Sequence, residues 1–480
     1  MSLISGVFLA FTALVVLVYY LLPMRLRSPW LLAASLAFYL YADLRYMAFL
    51  LFTIALSYAA GRLLPRARRP RLLLALALLM VLGMMAVLKF LPYSLALARE
   101  LFGLELGSWS WIYPLGISFF SLQAASYVID VYRGDILPEK SFWRYCLFMS
   151  FFPIITQGPI SRYQQLAPQL GEGHELNYRQ LCFGAQLALW GFFKKLVVAD
   201  RAGLFVDTVY AQPEGFGSFA VILAALLYTL QLYADFSGCV DICRGIAQML
   251  GIDLMENFRR PFFAASIQEL WRRWHISLSS WFRDYVYIPL GGSRKGSLRR
   301  MLNTMAVFAL SGLWHGAGAN FLFWGLLQGA YIVLGGLSRG LRQRFWQRLS
   351  IRLPRAFSCL GCFLLFAFSM HFFRAPGLSS GLIMARSAIT ELSLSHLSDG
   401  SLLALGLDLA DFGVLFLGLL LMLLVSLWQE KHSEELLRER VAALALPLRW
   451  GIYLGGLMAV LILGIYGPGY SSAQFIYMGF

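Results

Sequence analysis

Charge is scarce in this chain. Of its 480 residues only 14% are Asp, Glu, Lys or Arg, while 59% are hydrophobic; a soluble globular domain carries roughly 25% and 45–50%. That composition excludes an ordinary water-soluble fold. Acidic side chains are the rarer sign, 25 against 40 basic, yet the basic excess is not a nucleic-acid footprint. Its Arg and Lys sit between hydrophobic runs, at Arg62, Arg66, Arg68, Arg69 and Arg71, at Arg294, Lys295, Arg299 and Arg300, and from Arg339 to Arg355. That is the pattern of cytoplasmic loops beside anionic membrane lipids. The six cysteines suggest no disulfide framework. Cys359-x-x-Cys362 opens an apolar helix, where packed small residues are expected rather than a redox or metal pair. There is no G-x-S-x-G, no P-loop and no H-E-x-x-H, so serine hydrolase, kinase and zinc protease readings are weak. No solenoid-period repeat and no half-to-half symmetry of the transporter kind is visible. No Lys or Arg precedes the first apolar run, and Arg25 and Arg27 follow it, so a cleaved signal peptide is not expected.

Long apolar runs are present instead, at 7–22, 72–91, 219–233, 301–337, 357–373, 412–427 and 451–465, with shorter ones around 31–43, 46–61, 111–131, 143–156 and 180–199. A crossing helix needs about 20 such residues. The expected fold class is therefore all-α, a polytopic membrane protein of roughly ten to twelve transmembrane or re-entrant helices forming one embedded domain over 1–480. Residues 1–110 read as scaffold helices, 111–335 as the catalytic core, and 336–480 as C-terminal helices and an outer tail. Within the last zone a Ser-rich loop is expected at 377–401 and a charged helix at 429–440. The positive-inside rule puts Arg25 and the basic loops at 62–71 and 339–355 in the cytoplasm, with 377–401 and the tail 467–480 outside.

Four stretches place polar groups where hydrocarbon is expected. Residues 115–130 carry Ser118, Ser121, Gln123, Ser126 and Asp130. In 151–162, Pro153 and Pro159 flank Gln157 and Gly158 and predict a re-entrant or kinked segment. Residues 231–241 hold Asp235 and Asp241, where an interhelical hydrogen-bond cluster and a direct catalytic role both stand. In 269–292, helical spacing lines up Trp271, Trp274, Leu278, Trp281 and Tyr285, with Arg272, Arg273, Ser279 and Arg283 on other faces. This predicts an amphipathic interfacial helix, Trp at headgroup depth and Arg reaching phosphates. His275 adjoins that stripe, where a structural hydrogen-bonding histidine is the plainer reading.

His315 is the sharpest feature. From 302 to 337 the only other ionisable group is the phenol of Tyr331. A polar group in apolar surroundings costs a few kcal/mol unless satisfied, and inside a membrane it is a functional candidate by default. Gly312, Gly316 and Gly318 are expected to clear space around the imidazole, with Trp314 as a wall and Asn320 supplying an amide. A neutral imidazole there can act as general base on a hydroxyl. The bland alternative is a histidine satisfied by a neighbour and chemically idle.

Residues 272–292 (RRWHISLSSWFRDYVYIPLGG), followed by 311–320 (SGLWHGAGAN), resemble the membrane-bound O-acyltransferase family, and most closely its bacterial branch of alginate O-acetyltransferases. Residues 114–120 (PLGISFF), 129–134 (IDVYRG), 157–160 (QGPI), 233–238 (YADFSG) and 475–480 (FIYMGF) resemble that branch too. The resemblance implies a multi-helix membrane enzyme with a central tunnel, taking an acyl group from a cytoplasmic thioester toward an acceptor outside. It makes His315 the catalytic residue and His275 the second signature residue, nearer the cytoplasmic entrance. Two departures, Cys239-Val240 and Met478-Gly479, bear on the acceptor or partner surface. The expected activity is O-acetylation of a cell-surface polysaccharide, alginate-like in the first instance, in the bacterial inner membrane. Peptidoglycan, cellulose or teichoic acid are alternative acceptors, and a non-catalytic acetyl or glycan transporter is the alternative class. Acetyl-CoA is the expected donor, with no metal or prosthetic group. The expected partners are periplasmic acetyltransferase proteins and membrane lipids. Trp314, Asn320, Arg272, Arg273, Asp235, Gln157 and Tyr477 are the candidate substrate-binding residues, Tyr477 either as an acetyl relay or as a tail residue that merely packs.

Overall fold

The computed structural model describes residues 2–103, 112–348, 354–391, 400–433 and 435–466. The described residues are helical, with turns and no strand. In chain order the helices are α1 (Gly6–Leu21), α2 (Met24–Ala42), α3 (Leu44–Leu63), α4 (Pro70–Phe102), α5 (Ile117–Arg133), α6 (Phe142–Ser150), α7 (Tyr163–Gly171), α8 (Tyr178–Phe192), α9 (Asp200–Ala211), α10 (Ser218–Met249), α11 (Ile267–Arg273), α12 (Ile276–Phe282), α13 (Gly296–His315), α14 (Ala319–Leu337), α15 (Arg339–Arg348), α16 (Arg355–Arg374), α17 (Leu378–Thr390), α18 (Leu409–Lys431), α19 (Leu437–Ala442) and α20 (Leu446–Leu463). Wider π-type turns at Phe193–Ala199 and Arg283–Tyr287 interrupt the regular spacing.

Among the described residues eight helical stretches are long and apolar enough to cross a membrane. They divide by what surrounds them. In the best windows of Pro70–Phe102 and Leu446–Leu463 only 11% and 6% of residues are buried by protein, against 61% in Ser218–Met249. Leucine-rich helices left that open need hydrocarbon as their solvent. Ser218–Met249, in contrast, is packed by protein and is where polar side chains collect.

The chain forms two compact units, one of residues 1–188 with 239–256, the other of 189–238 with 257–480. In the first, α5 is buried along nearly its whole length, and two of its polar groups are answered locally. Gln123 Nε2 donates to the Phe148 carbonyl (3.0 Å) and Ser126 Oγ to that of Gln123 (2.8 Å). The stretch with Pro153 and Pro159 is irregular and buried, as expected of two prolines. Gly116, with φ +74°, lets the start of α5 sit on it: a Cβ there would lie 2.1 Å from the Ile155 carbonyl oxygen.

In the second unit, α13 and α14 form a hairpin. The apolar run 301–337 is thus two helices folded at 316–318. A Cβ on Gly312 would meet the Phe321 carbonyl oxygen at 2.4 Å, and one on Gly325 that of Phe308 at 2.3 Å. The two backbones touch, which only glycine permits. Two C-terminal expectations are corrected. Most of the expected Ser-rich loop is helix α17, and the charged helix is split, α18 ending at Lys431 and α19 beginning at Leu437.

Candidate active site

His315 is the last residue of α13 and is 3% exposed. Three aromatic rings meet its imidazole edge to face: Trp314 at 4.8 Å, Trp324 at 5.1 Å and Phe373 at 5.3 Å between centroids. The glycines do not open room beside it, contrary to expectation. A Cβ on Gly316 would collide with the Phe321 ring at 2.2 Å, and one on Gly318 with Asn320 Oδ1 at 2.3 Å. They let Phe321 and α14 close in, so the imidazole is walled rather than surrounded by space.

His275 reaches the same place by a different route. The expected single amphipathic helix over 269–292 is broken. α11 ends at Arg273, His275 adopts left-handed backbone (φ 43°), and α12 starts at Ile276. Such backbone is uncommon outside glycine, with Asn, Asp and His over-represented, and costs of order 1–3 kcal/mol. Asn257 offsets that cost. Its carbonyl accepts from Ile276 N (3.0 Å) and its Oδ1 from Ser277 N (2.9 Å), satisfying N–H groups at the start of α12. The tryptophans of the expected stripe are correspondingly buried in protein, Trp271 at 9%, Trp274 at 2% and Trp281 at 5% exposure, and so are enclosed by protein rather than presented to lipid. Breaking the helix turns His275 inward, where its ring lies 4.7 Å from Phe236 and 6.1 Å from Trp314. Burial pushes its imidazole down to about 3, with only a backbone hydrogen bond opposing. His275, which lies outside the membrane-spanning helices, is therefore neutral at physiological pH.

A buried polar chain holds this arrangement. Trp271 Nε1 donates to Gln328 Oε1 (3.0 Å), Gln328 Nε2 to Ser369 Oγ (2.5 Å), and Ser369 Oγ to the Phe366 carbonyl (2.6 Å), linking α11, α14 and α16. At the end of α16, Asn320 Nδ2 donates to the carbonyls of Ala375 (3.1 Å) and Phe372 (3.4 Å). Nearby, His371 lies between the Tyr210 hydroxyl (2.9 Å) and the Gly381 carbonyl (2.9 Å). A carbonyl only accepts, so His371 Nε2 carries the proton and Nδ1 accepts from Tyr210. Asn320 and His371 together fix the segment that carries Phe373 against His315. Sequence reasoning missed Asn257, Gln328, Trp324 and His371; a polar or indole residue inside an apolar run was the available signal for the last three.

The remaining candidates are placed as follows. Arg272 is exposed. Arg273 is held by Glu269 (2.8 Å) and Glu430 (3.0 Å), and Glu430 also pairs with Arg260 (2.9 Å). Asp235 is 1% exposed and pairs with Lys195 (2.7 Å), which also pairs with Asp200 (2.8 Å); the neighbouring Lys194 donates to Ser237 Oγ (2.9 Å). Both lysines sit in the π-type turn at Phe193–Ala199, next to a close approach of α10. There a Cβ on Gly238 would lie 2.8 Å from the Gly191 carbonyl oxygen. Gln157 belongs to the other compact unit; it is buried, and its Oε1 meets no donor among the described residues. Tyr477 lies outside the described residues. Among the described residues no group of three or more His, Cys, Asp or Glu is arranged to hold a metal.

A multi-helix membrane protein with two histidines converging on one indole is the class these observations define. The sequence model described as "MBOAT, membrane-bound O-acyltransferase family" matches residues 93–373. The peptidoglycan O-acetyltransferase of Helicobacter pylori is 32% identical over 79% of this chain and 78% of its own length. A probable alginate O-acetylase of Pseudomonas syringae is 37% identical over 69% of this chain and 65% of that protein. The teichoic acid D-alanyltransferase of Bacillus subtilis is 29% identical over 44% of this chain and 56% of that protein. The chain belongs to the membrane-bound O-acyltransferase family, and it is a multi-pass membrane acyltransferase.

Proposed function

We propose that this enzyme moves an acetyl group from cytoplasmic acetyl-CoA across a bacterial inner membrane for O-acetylation of a cell-surface polysaccharide, an alginate-like exopolysaccharide in the first reading. The observation that carries the reading is the walled, buried imidazole of His315 at the end of α13, beside the indole it shares with His275. His315 takes the proton of an attacking hydroxyl as the oxygen bonds to the thioester carbonyl carbon. The tetrahedral oxyanion then collapses, the C–S bond breaks with its electron pair on sulfur, and His315 returns the proton to the departing thiolate. The product is an oxygen ester and free thiol. His275, neutral and rigidly held, shapes the donor's entrance. Arg272 is exposed and suited to the donor's phosphates, whereas Arg273 supports the entrance through Glu269 and Glu430. Gln157 and Tyr477 are assigned to the acceptor side, Tyr477 as an acceptor-positioning or relay hydroxyl that hands acetyl to a periplasmic partner protein.

A second reading, peptidoglycan as acceptor, is favoured by the longer match to the Helicobacter pylori relative, which covers more of both chains. Deleting the gene and measuring ester-linked acetate in isolated exopolysaccharide and in isolated peptidoglycan decides between them. Loss confined to exopolysaccharide supports the first reading, loss confined to peptidoglycan the second, and no loss in either rejects both.

A further inference from the structure

The indole N–H of Trp324 has no hydrogen-bond acceptor among the described residues, although the side chain is 2% exposed. An indole nitrogen is a donor only, and buried ones normally find a partner. The neighbouring Trp271, 5.9 Å away ring to ring, follows that rule through Gln328, and Trp30 does so through the Val15 carbonyl at 3.0 Å. Trp324 departs from it beside the imidazole of His315, at 5.1 Å and an interplanar angle of 87°, with Phe373 packed on it at 5.0 Å. A buried donor without an acceptor costs the fold of order 1–3 kcal/mol. The neighbouring residue expected to orient the substrate is committed elsewhere, since the Asn320 amide donates to the carbonyls of Phe372 and Ala375.

We propose that Trp324 is a catalytic residue, its Nε1–H donating to the acyl carbonyl oxygen and more strongly to the oxyanion formed when the hydroxyl attacks. The inference rests on His315 being the base of acyl transfer, since that is what places the reacting carbon beside this indole. The N–H transfers no proton. It lowers the energy of negative charge that exists only between C–O bond formation and C–S bond breakage. The apolar walls exclude water, so a fixed dipole there is worth more than in solvent. The orphaned donor is thereby a cost to the resting fold that the transition state recovers.

The test replaces Trp324 alone by 3-benzothienylalanine, which keeps the ring shape and exchanges N–H for sulfur. Turnover of acetyl-CoA with a glycan acceptor and thermal unfolding are measured on purified full-length protein in detergent. We expect kcat to fall about 10²-fold, as when one oxyanion donor is removed, with the acetyl-CoA KM within about twofold and the melting temperature unchanged or raised. Wild-type kcat overturns the proposal. So does a loss of activity accompanied by a lowered melting temperature, because the N–H would then be bonded within the fold. A His315→Gln protein run in parallel keeps the two readings separate. If it is inactive while the Trp324 isostere is fully active, only the indole's role falls; if it keeps wild-type turnover, the base assignment itself falls.

Discussion

The imidazoles of His275 and His315 pack against one shared ring, that of Trp314, at centroid distances of 6.1 and 4.8 Å. They come from different elements, one from a left-handed turn between two short helices, the other from the C-terminal end of α13. Two residues forty positions apart in sequence are joined by one indole, so each can be examined for what it does through that ring.

His315→Gln removes the base while keeping a side chain of similar length. Acetyl transfer is expected to fall about 10²–10⁴-fold, with membrane insertion and yield as in the wild type. Ester-bound acetate in cells complemented with the variant is the measurement, and wild-type acetate content would reject the assignment.

For His275 the expectation concerns stability against pH. Its folded-state value, about 3, lies below the ordinary 6.5. The neutral form is the one the fold favours, so the contribution is fully present above pH 6.5 and is lost as pH falls through the window from 6.5 toward 3. The slope is at most about 1.4 kcal/mol per pH unit. His275→Asn retains a residue that tolerates left-handed backbone and removes the titrating ring. Melting temperatures of wild type and variant in detergent should therefore converge on acidification from pH 7 to 4.5. A constant difference across that range would contradict the burial argument.

The α13–α14 hairpin predicts a sharp contrast among glycines. Gly312→Ala drives a methyl into the backbone of Phe321, and Gly325→Ala does the same to Phe308, whereas a Cβ on Gly335 meets nothing within 4 Å. The first two should cost several kcal/mol by forcing the helices apart. Gly335→Ala should be neutral or stabilising by up to about 1 kcal/mol. Thermal unfolding of the three variants checks this ordering.

Lys195 holds two carboxylates, Asp200 and Asp235, at 2.8 and 2.7 Å, all nearly inaccessible. Lys195→Met leaves both charges without it and is expected to destabilise by about 3–5 kcal/mol. Asp235→Asn should cost less, because Asp200 still pairs the lysine. If Lys195→Met melts as the wild type does, the cluster contributes nothing to the fold.

The sequence made the class of protein legible because hydrocarbon is an undemanding solvent to predict. Runs such as 72–91 and 451–465 need only length and apolarity, and helices lie there. Pro153 and Pro159 announced their irregular segment for an equally local reason. Helical spacing failed at 269–292, because a left-handed residue at His275 depends on Asn257 supplying both a carbonyl and a side-chain oxygen, a contact no local pattern encodes. The glycines around His315 misled for a related reason. An absent side chain can mean space or contact, and only the partner, here Phe321, decides. The pairs of Arg273 with Glu430 and of Asp235 with Lys195 join segments far apart in sequence, so neither could be read from its own motif, whereas the pair of Arg273 with Glu269, four residues back on α11, lay within reach of helical spacing.

With Gly312 and Gly325 bringing bare backbones into contact, nothing cushions α13 against α14. A slide of either helix by one residue would wedge a side chain between them, so the hairpin is locked in register like a key in its ward. Trp314 and Trp324 both ride on this hairpin, so movement beside His315 falls to their rings and to α16, which carries Phe373.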